Sequence, residues 1–218
     1  MFSRFSNQGT FYDLGERAVK AFEKRMESPK SGSDAPPKLT VESIDNHVYF
    51  YADVDTDRTL ALIRRIREID SQLRNEKDSR MLPKDFNMPI WLHIQSNGGD
   101  LFAGFAMADQ LSKISSPIYS IVEGVCASAA TLISTVCSKR FILPSGYMLI
   151  HQFSTVMWGK HRDFIDEMKL QEGLMETLVK FYLKNTKMNE EEVRKLLDHD
   201  SWFGADECLK LGLVDEIL

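Results

Sequence analysis

Pro117-Ile118-Tyr119-Ser120-Ile121-Val122 leads through Glu123 into Gly124-Val125-Cys126-Ala127-Ser128-Ala129-Ala130, and then into Thr131-Leu132-Ile133-Ser134-Thr135-Val136-Cys137. The first run is dense in β-branched and aromatic residues and predicts a buried strand. The last run predicts a helix from about Ser128 to Cys137. Between them lie small residues, and Ser128 falls just where strand gives way to helix. A hydroxyl there is close-packed and held near a helix N-terminus, which is a place for a nucleophile. It is equally a place for an ordinary helix-capping serine, so the segment needs companions before it means chemistry.

Working outward, the same alternation repeats. His47 to Val54 alternates as a strand with Val48, Phe50 and Ala52 on one face. Leu60, Ile63, Ile66, Ile69 and Leu73 then recur at helical spacing. Pro89 to Gln95 predicts a buried strand and Leu101 to Leu111 a helix. Downstream, Phe141 to Leu143 and Tyr147 to His151 predict two more strands. Strands alternating with helices argue for right-handed βαβ units and an α/β fold. Ile165, Met168, Leu174, Met175, Leu178, Phe181 and Tyr182 then fit one long helix, apolar over a wide arc that suits either packing on a second subunit as well as its own core or a core helix of one subunit. Asn189 as N-cap with Glu192 three positions on, and Met188 facing Val193, predicts a cleanly started second helix. Ala205 to Leu211 predicts a last helix, stopped by Gly212 and followed by a strand from Leu213 to Ile217.

The ends of the chain differ in kind. Residues 12–26 predict a short amphipathic helix, and residues 27–37, rich in Pro and Ser, a linker. The expected division is therefore residues 1–38 as helix and linker, and 39–218 as one globular domain. The chain has 218 residues, 43% hydrophobic and 27% charged, the composition of a soluble domain with room for a core. A net charge of −5 and a pI of about 5.6 exclude a basic nucleic-acid surface. No apolar run approaches the ~20 residues that span a bilayer, and the N-terminus lacks the apolar core of a secretory signal. Cys126, Cys137 and Cys208 are too few and too unevenly spaced for a disulfide framework or a zinc site. Neither a metal nor a cofactor is expected, and a reducing compartment is.

Three further segments bear on Ser128. Met148-Leu149-Ile150-His151 ends an apolar strand on a histidine, and Ser96-Asn97-Gly98-Gly99 is a glycine turn whose amides can face negative charge. A serine needs a base to take its proton and a third group to hold that base in the right tautomer. Asp198 and Asp200 both qualify. Asp200 is favoured because it precedes Trp202-Phe203, where its side chain can tuck under the core, whereas Asp198 is expected to face solvent. The order Ser, His, Asp matches none of the three familiar triad orders, and Gly124 to Ala130 is not a G-x-S-x-G elbow.

That order and those motifs resemble the proteolytic subunit of the Clp protease, ClpP, a member of the crotonase superfamily, over roughly residues 47–218. Ser96-Asn97-Gly98-Gly99 resembles the family's Ser-Pro-Gly-Gly turn, and Gly124 to Ala130 its nucleophile segment. Met148-Leu149-Ile150-His151-Gln152 is similar to its Met-Ile-His-Gln-Pro. Asp200-Ser201-Trp202-Phe203-Gly204-Ala205 corresponds to its Asp-Arg-Phe-Leu-Ser-Ala, and Gly212-Leu213-Val214-Asp215 to its closing Gly-Leu-Val-Asp.

The resemblance implies a crotonase-like fold of repeated βαβ units with a long, handle-like helix. It makes Ser128 the nucleophile, His151 the base and Asp200, rather than Asp198, the orienting carboxylate. The oxyanion is then expected between the amides of Gly98 and Ala129. A peptide substrate is expected along Gly98 and Gly99, with Gln152 also in contact and holding the loop beyond His151. The implied activity is serine endopeptidase cleavage of unfolded polypeptides inside an oligomeric chamber, built from heptameric rings that can stack as a tetradecamer. A AAA+ unfoldase of the ClpX, ClpA or ClpC type is the implied partner, and a cytoplasmic setting, bacterial, phage-encoded or organellar, the implied location. A structural ring subunit and a prohead-type maturation protease are the competing expectations. The chain departs from the family where residues 27–46 separate its first helix from its first strand. It departs again at Phe153, in place of a proline, and at Ser154 to Gly159, in place of a glycine-rich strand, so a divergent member is expected.

Overall fold

β4 (Ile118–Ala127) is the strand on which the rest is assembled, because its two halves pair with different neighbours. The computed structural model describes residues 41–83 and 85–218, so the expected helix and linker of residues 1–38 lie outside the described residues. The chain runs β1 (Val41–Ile44), β2 (His47–Phe50), α1 (Thr56–Ser79), β3 (Ile90–Ser96), α2 (Leu101–Leu111), β4, α3 (Ala129–Thr135), β5 (Lys139–Ile142) and β6 (Tyr147–Ile150). It continues with α4 (His161–Asn185), α5 (Glu190–Leu197), β7 (Ser201–Gly204), α6 (Ala205–Leu211) and β8 (Glu216–Ile217). β2, β3, β4 and β5 are parallel neighbours, each joined to the next through one helix. These are the βαβ units the alternation predicts.

Two antiparallel pairings were not legible as such. β1 forms a hairpin with β2, and β7 returns antiparallel beside β6. β6 runs parallel to the last residues of β4, pairing Val125 to Ala127 with Tyr147 to Leu149, whereas Tyr119 to Val122 pair with β5. The fork follows a register change: Ile94 pairs with Val122 but Ser96 with Cys126, so β4 spends two more residues than β3 around Gly124.

One sheet face is continuous core. Val48, Phe50, Leu92, Ile94, Val122 and Ile142 are fully enclosed, against Leu62, Ile66, Met107, Leu132 and Ile133 of the helices. Helix α1 shows a difference from expectation. Its buried line is Thr59, Leu62, Ile66, Ile69 and Asp70, while Leu60 is 43% exposed. The Asp55 cap sets where the helix begins, and Asp70 is drawn inward because its carboxylate accepts the Ser116 amide at 2.8 Å. The predicted start of α5 is realised in full: Asn189 and Glu192 exchange a capping box, with Met188 and Val193 buried beside it. Gly212 ends α6 at φ 71°.

On the other sheet face a polar chain lies beside an aromatic cluster of Trp91, Tyr119 and Phe141. The Tyr51 hydroxyl donates to Glu123, Glu123 accepts from His93 Nδ1 at 2.7 Å, and His93 Nε2 lies 2.9 Å from His47 Nδ1. The His93 ring also stacks on Tyr49 at 4.4 Å. Burial first, and the charge of His47 second, push the His93 pKa down to about 4. An ordinary histidine titrates near ~6.5, so between these values the unfolded chain binds a proton that the folded one refuses. Stability therefore falls as pH drops from about 6.5 to about 4. Urea unfolding of wild type and His93→Gln across that range is expected to show the steeper loss in wild type, and parallel slopes would refute the assignment.

Candidate active site

Strand register alone brings the four singled-out segments together. Ser96 pairs with Cys126, so two residues on, the Gly98 turn comes level with Ser128. Ala127 pairs with Leu149, and the Ser128 amide donates to the Leu149 carbonyl at 2.9 Å, which carries the β6 pairing up to the serine. β6 ends at Ile150, so His151 emerges beside Ser128. Ile150 pairs with Ser201, and extending that antiparallel register by one pair sets His151 opposite Asp200. All this happens at the carboxyl ends of parallel strands, where α/β sheets leave their crevices.

Ser128 itself has φ 54° and ψ −127°, a conformation that a residue with a Cβ rarely adopts. No G-x-S-x-G pattern announces it, yet it does what an elbow does: it breaks strand from helix within one residue. The side chain is half-buried, between Ala127, Ala129 and Ala130, which are buried. Cys126, two residues earlier, is no rival, since burial pushes its thiol far up. Burial likewise holds the Cys137 and Cys208 thiols up at about 12.

Ser128, Ala129, Gly99 and His151 line one cavity of about 370 Å³, walled by Leu132, Leu170, Leu174 and Leu178 and closed at one side by Tyr182. Asp200 Oδ1 lies 3.4 Å from His151 Nδ1. The expectation that the Asp200 side chain tucks under the core is corrected, because it is 79% exposed. Trp202, which was to cover it, is itself 52% exposed on the four-residue strand β7. Gln152 is exposed and stands apart from this cavity, in a neighbouring groove of about 530 Å³ with Met168, Gln171 and Met175. Residues 151–160 form neither helix nor strand.

The glycine turn is built by contact. At φ 90°, Gly98 has no room for a side chain: a Cβ would meet the Ala127 carbonyl at 2.5 Å, Ser128 Cβ at 2.7 Å and the Ala129 nitrogen at 3.1 Å. Its amide donates to the buried Ser96 hydroxyl at 3.2 Å. Its carbonyl accepts from Val54, and Asp100 donates to the Val54 carbonyl. One edge of the turn is thereby occupied, and the Gly99 backbone bonds to no other group among the described residues. The Ala129 amide, first in α3, has no partner inside its helix.

A strained serine at a strand–helix junction, with a histidine lining the same cavity and a glycine turn packed against it, is an arrangement able to support serine-hydrolase chemistry on a parallel-sheet scaffold. Residues 46–218 match the family model of the Clp protease. The chain is 30% identical over 179 residues to the ATP-dependent Clp protease proteolytic subunit of Streptococcus sanguinis, covering 80% of this chain and 85% of that one. It is 36% identical over 131 residues to proteolytic subunit 2 of Treponema denticola, covering 59% of this chain and 66% of the relative. A point mutant of ClpP1 from Listeria monocytogenes has the same fold, with TM-score 0.68 at 23% identity over 80% of this chain and 91% of that one. The chain belongs to the Clp protease family, as a divergent member of those serine peptidases with their crotonase-like fold.

Gly98→Ala tests the contact that makes the turn. The added methyl strikes backbone and Ser128 together, so peptide turnover is expected to fall by about 100-fold or more. Near-wild-type turnover in a folded Gly98→Ala protein would show that the turn and the serine are not mechanically joined.

Proposed function

We propose that this protein is a serine endopeptidase in which Ser128 attacks the scissile carbonyl, His151 takes and returns the proton, and Asp200 orients the imidazole. The observation that carries this reading is the positive-φ elbow at Ser128, half-open in a cavity it shares with His151. Attack moves charge onto the carbonyl oxygen, and the Ala129 amide and the Gly98 amide, once released from the Ser96 hydroxyl, stabilise it. A donor of this kind is worth about 10²–10³ in rate; the Ala129 amide is free to act at once, whereas the Gly98 amide must first give up its bond to Ser96. The leucine-lined wall suits an apolar side chain next to the scissile bond. The Gly99 backbone, unengaged by its neighbours, suits an extended peptide laid along it as a strand. Gln152, exposed in the adjoining groove, would contact residues further along the peptide.

Assembly follows from the same family. The first half of α4 leaves Phe164, Met168 and Leu170 substantially exposed, and Val156 and Trp158 before it are 75% and 88% exposed. Apolar side chains so placed favour burial against other copies, in heptameric rings that enclose the sites, with a AAA+ unfoldase of the Clp type threading unfolded polypeptide to them. Among the described residues no helix is long and apolar enough to cross a membrane, and the reading places the chamber in the cytoplasm or an organelle matrix. The catalytic set retains Ser, His and Asp, which favours an active protease over a structural ring subunit.

A fluorophosphonate probe is expected to label wild type and to leave Ser128→Ala unlabelled; labelling of both would move the nucleophile elsewhere. His151→Ala is expected to abolish peptide hydrolysis in a folded protein. Asp200→Asn is expected to cost less than His151→Ala, because an exposed carboxylate 3.4 Å from its histidine is partly replaceable by water. Equal losses in the two variants would mean that Asp200 is enclosed when the enzyme works.

A further inference from the structure

Tyr182 lies 54 residues from Ser128 in the chain but closes one side of its cavity. It is 3% exposed, and its hydroxyl stands 2.7 Å from Thr131 Oγ1, which is itself fully buried. Thr131 Oγ1 lies 2.6 Å from the Ser128 carbonyl oxygen, and the Thr131 amide reaches the same oxygen at 2.9 Å. The direction of this chain is fixed by proton count. A carbonyl only accepts, so the single threonine proton goes to Ser128. The tyrosine must then be the donor to Thr131. Burial holds the phenol protonated, with its pKa raised.

The Ser128 carbonyl shares one rigid, trans peptide plane with the Ala129 N–H, and the two point in opposite directions. Two hydrogen bonds on the oxygen therefore aim the amide on the other side. The need for this is evident from φ 54° at Ser128, because such a conformation persists only where its surroundings over-determine it. We propose that Tyr182 is a positioning residue of the site: through Thr131 it locks the Ser128–Ala129 peptide plane and so aims the Ala129 amide at the developing oxyanion. This rests on the reading of Ser128 as nucleophile. It adds that α4, which walls the cavity with Leu170, Leu174 and Leu178, also sets the geometry of catalysis from the far side of the backbone.

Because the bond pattern acts on the transition state, its loss is read in kcat rather than KM. Tyr182→Phe keeps the ring and removes only the donor; Thr131→Val keeps the volume and removes the relay. Each is expected to lower kcat and the rate of fluorophosphonate labelling about tenfold, a fraction of the loss from deleting a donor outright, with KM within about twofold. The double variant is expected to be no slower than Thr131→Val alone, and Thr131→Ser to restore most of what Thr131→Val loses. Thermal melts check that each variant is folded. Tyr182→Phe labelling at the wild-type rate would overturn the positioning role and leave Ser128 as nucleophile intact. Additive losses in the double variant would overturn it too, and a wild type that fails to label would remove both readings.

Discussion

The site depends on the fork in β4. A strand that kept one partner along its whole length would leave Ser128 at the edge of a flat sheet with no histidine near it. Here the first half of β4 is held by β5 and the second by β6, and the two-residue register change at Gly124 lets the strand turn from one to the other. His151 is thus delivered by hydrogen-bonded pairing, and pairing is a discrete quantity. A slip of one residue would put every side chain on the wrong face, so the alignment of serine and histidine is all-or-none rather than graded.

Strain and contact then work in opposite senses at one point. Holding a non-glycine residue at positive φ costs about 1–3 kcal/mol, and what offsets it is local. The Ser128 amide is bonded to Leu149, its carbonyl is bonded twice to Thr131, and Gly98 presses against its Cβ from the third side. Val54 anchors the Gly98 turn in turn, just before the Asp55 cap of α1. The elbow is therefore braced by β6, by α3 and by the loop that opens α1.

What could be read in advance follows the range of the interactions. Asn189 with Glu192, Gly212 after α6, and the bounds of α2 are local chemistry, and they are found where the spacing puts them. The segments bearing Ser128, His151, Gly98 and Asp200 were legible because each carries its own motif. Leu60 recurs at helical spacing yet falls off the buried line, because the helix phase is set by a cap and a buried aspartate that periodicity does not see. Strand β7 escaped because Ser201-Trp202-Phe203-Gly204 is four residues without a clear alternation. Asp200 looked enclosed only because its neighbours are apolar. Tyr182 read as one more apolar position on a helix stripe, and nothing near it in sequence tells that its hydroxyl points at Thr131.

The buried cysteines carry a consequence of a different kind. Cys126, Cys137 and Cys208 are all enclosed, with their thiols kept protonated by burial. In the closed fold a thiol reagent has nothing to react with, so its rate of reaction counts local openings of the structure. Cys126 sits on the strand that leads into Ser128, and Cys208 on the helix that follows β7. The molecule thus contains its own clocks: the thiols time the breathing of the two sides of the site, independently of the Ser128 hydroxyl.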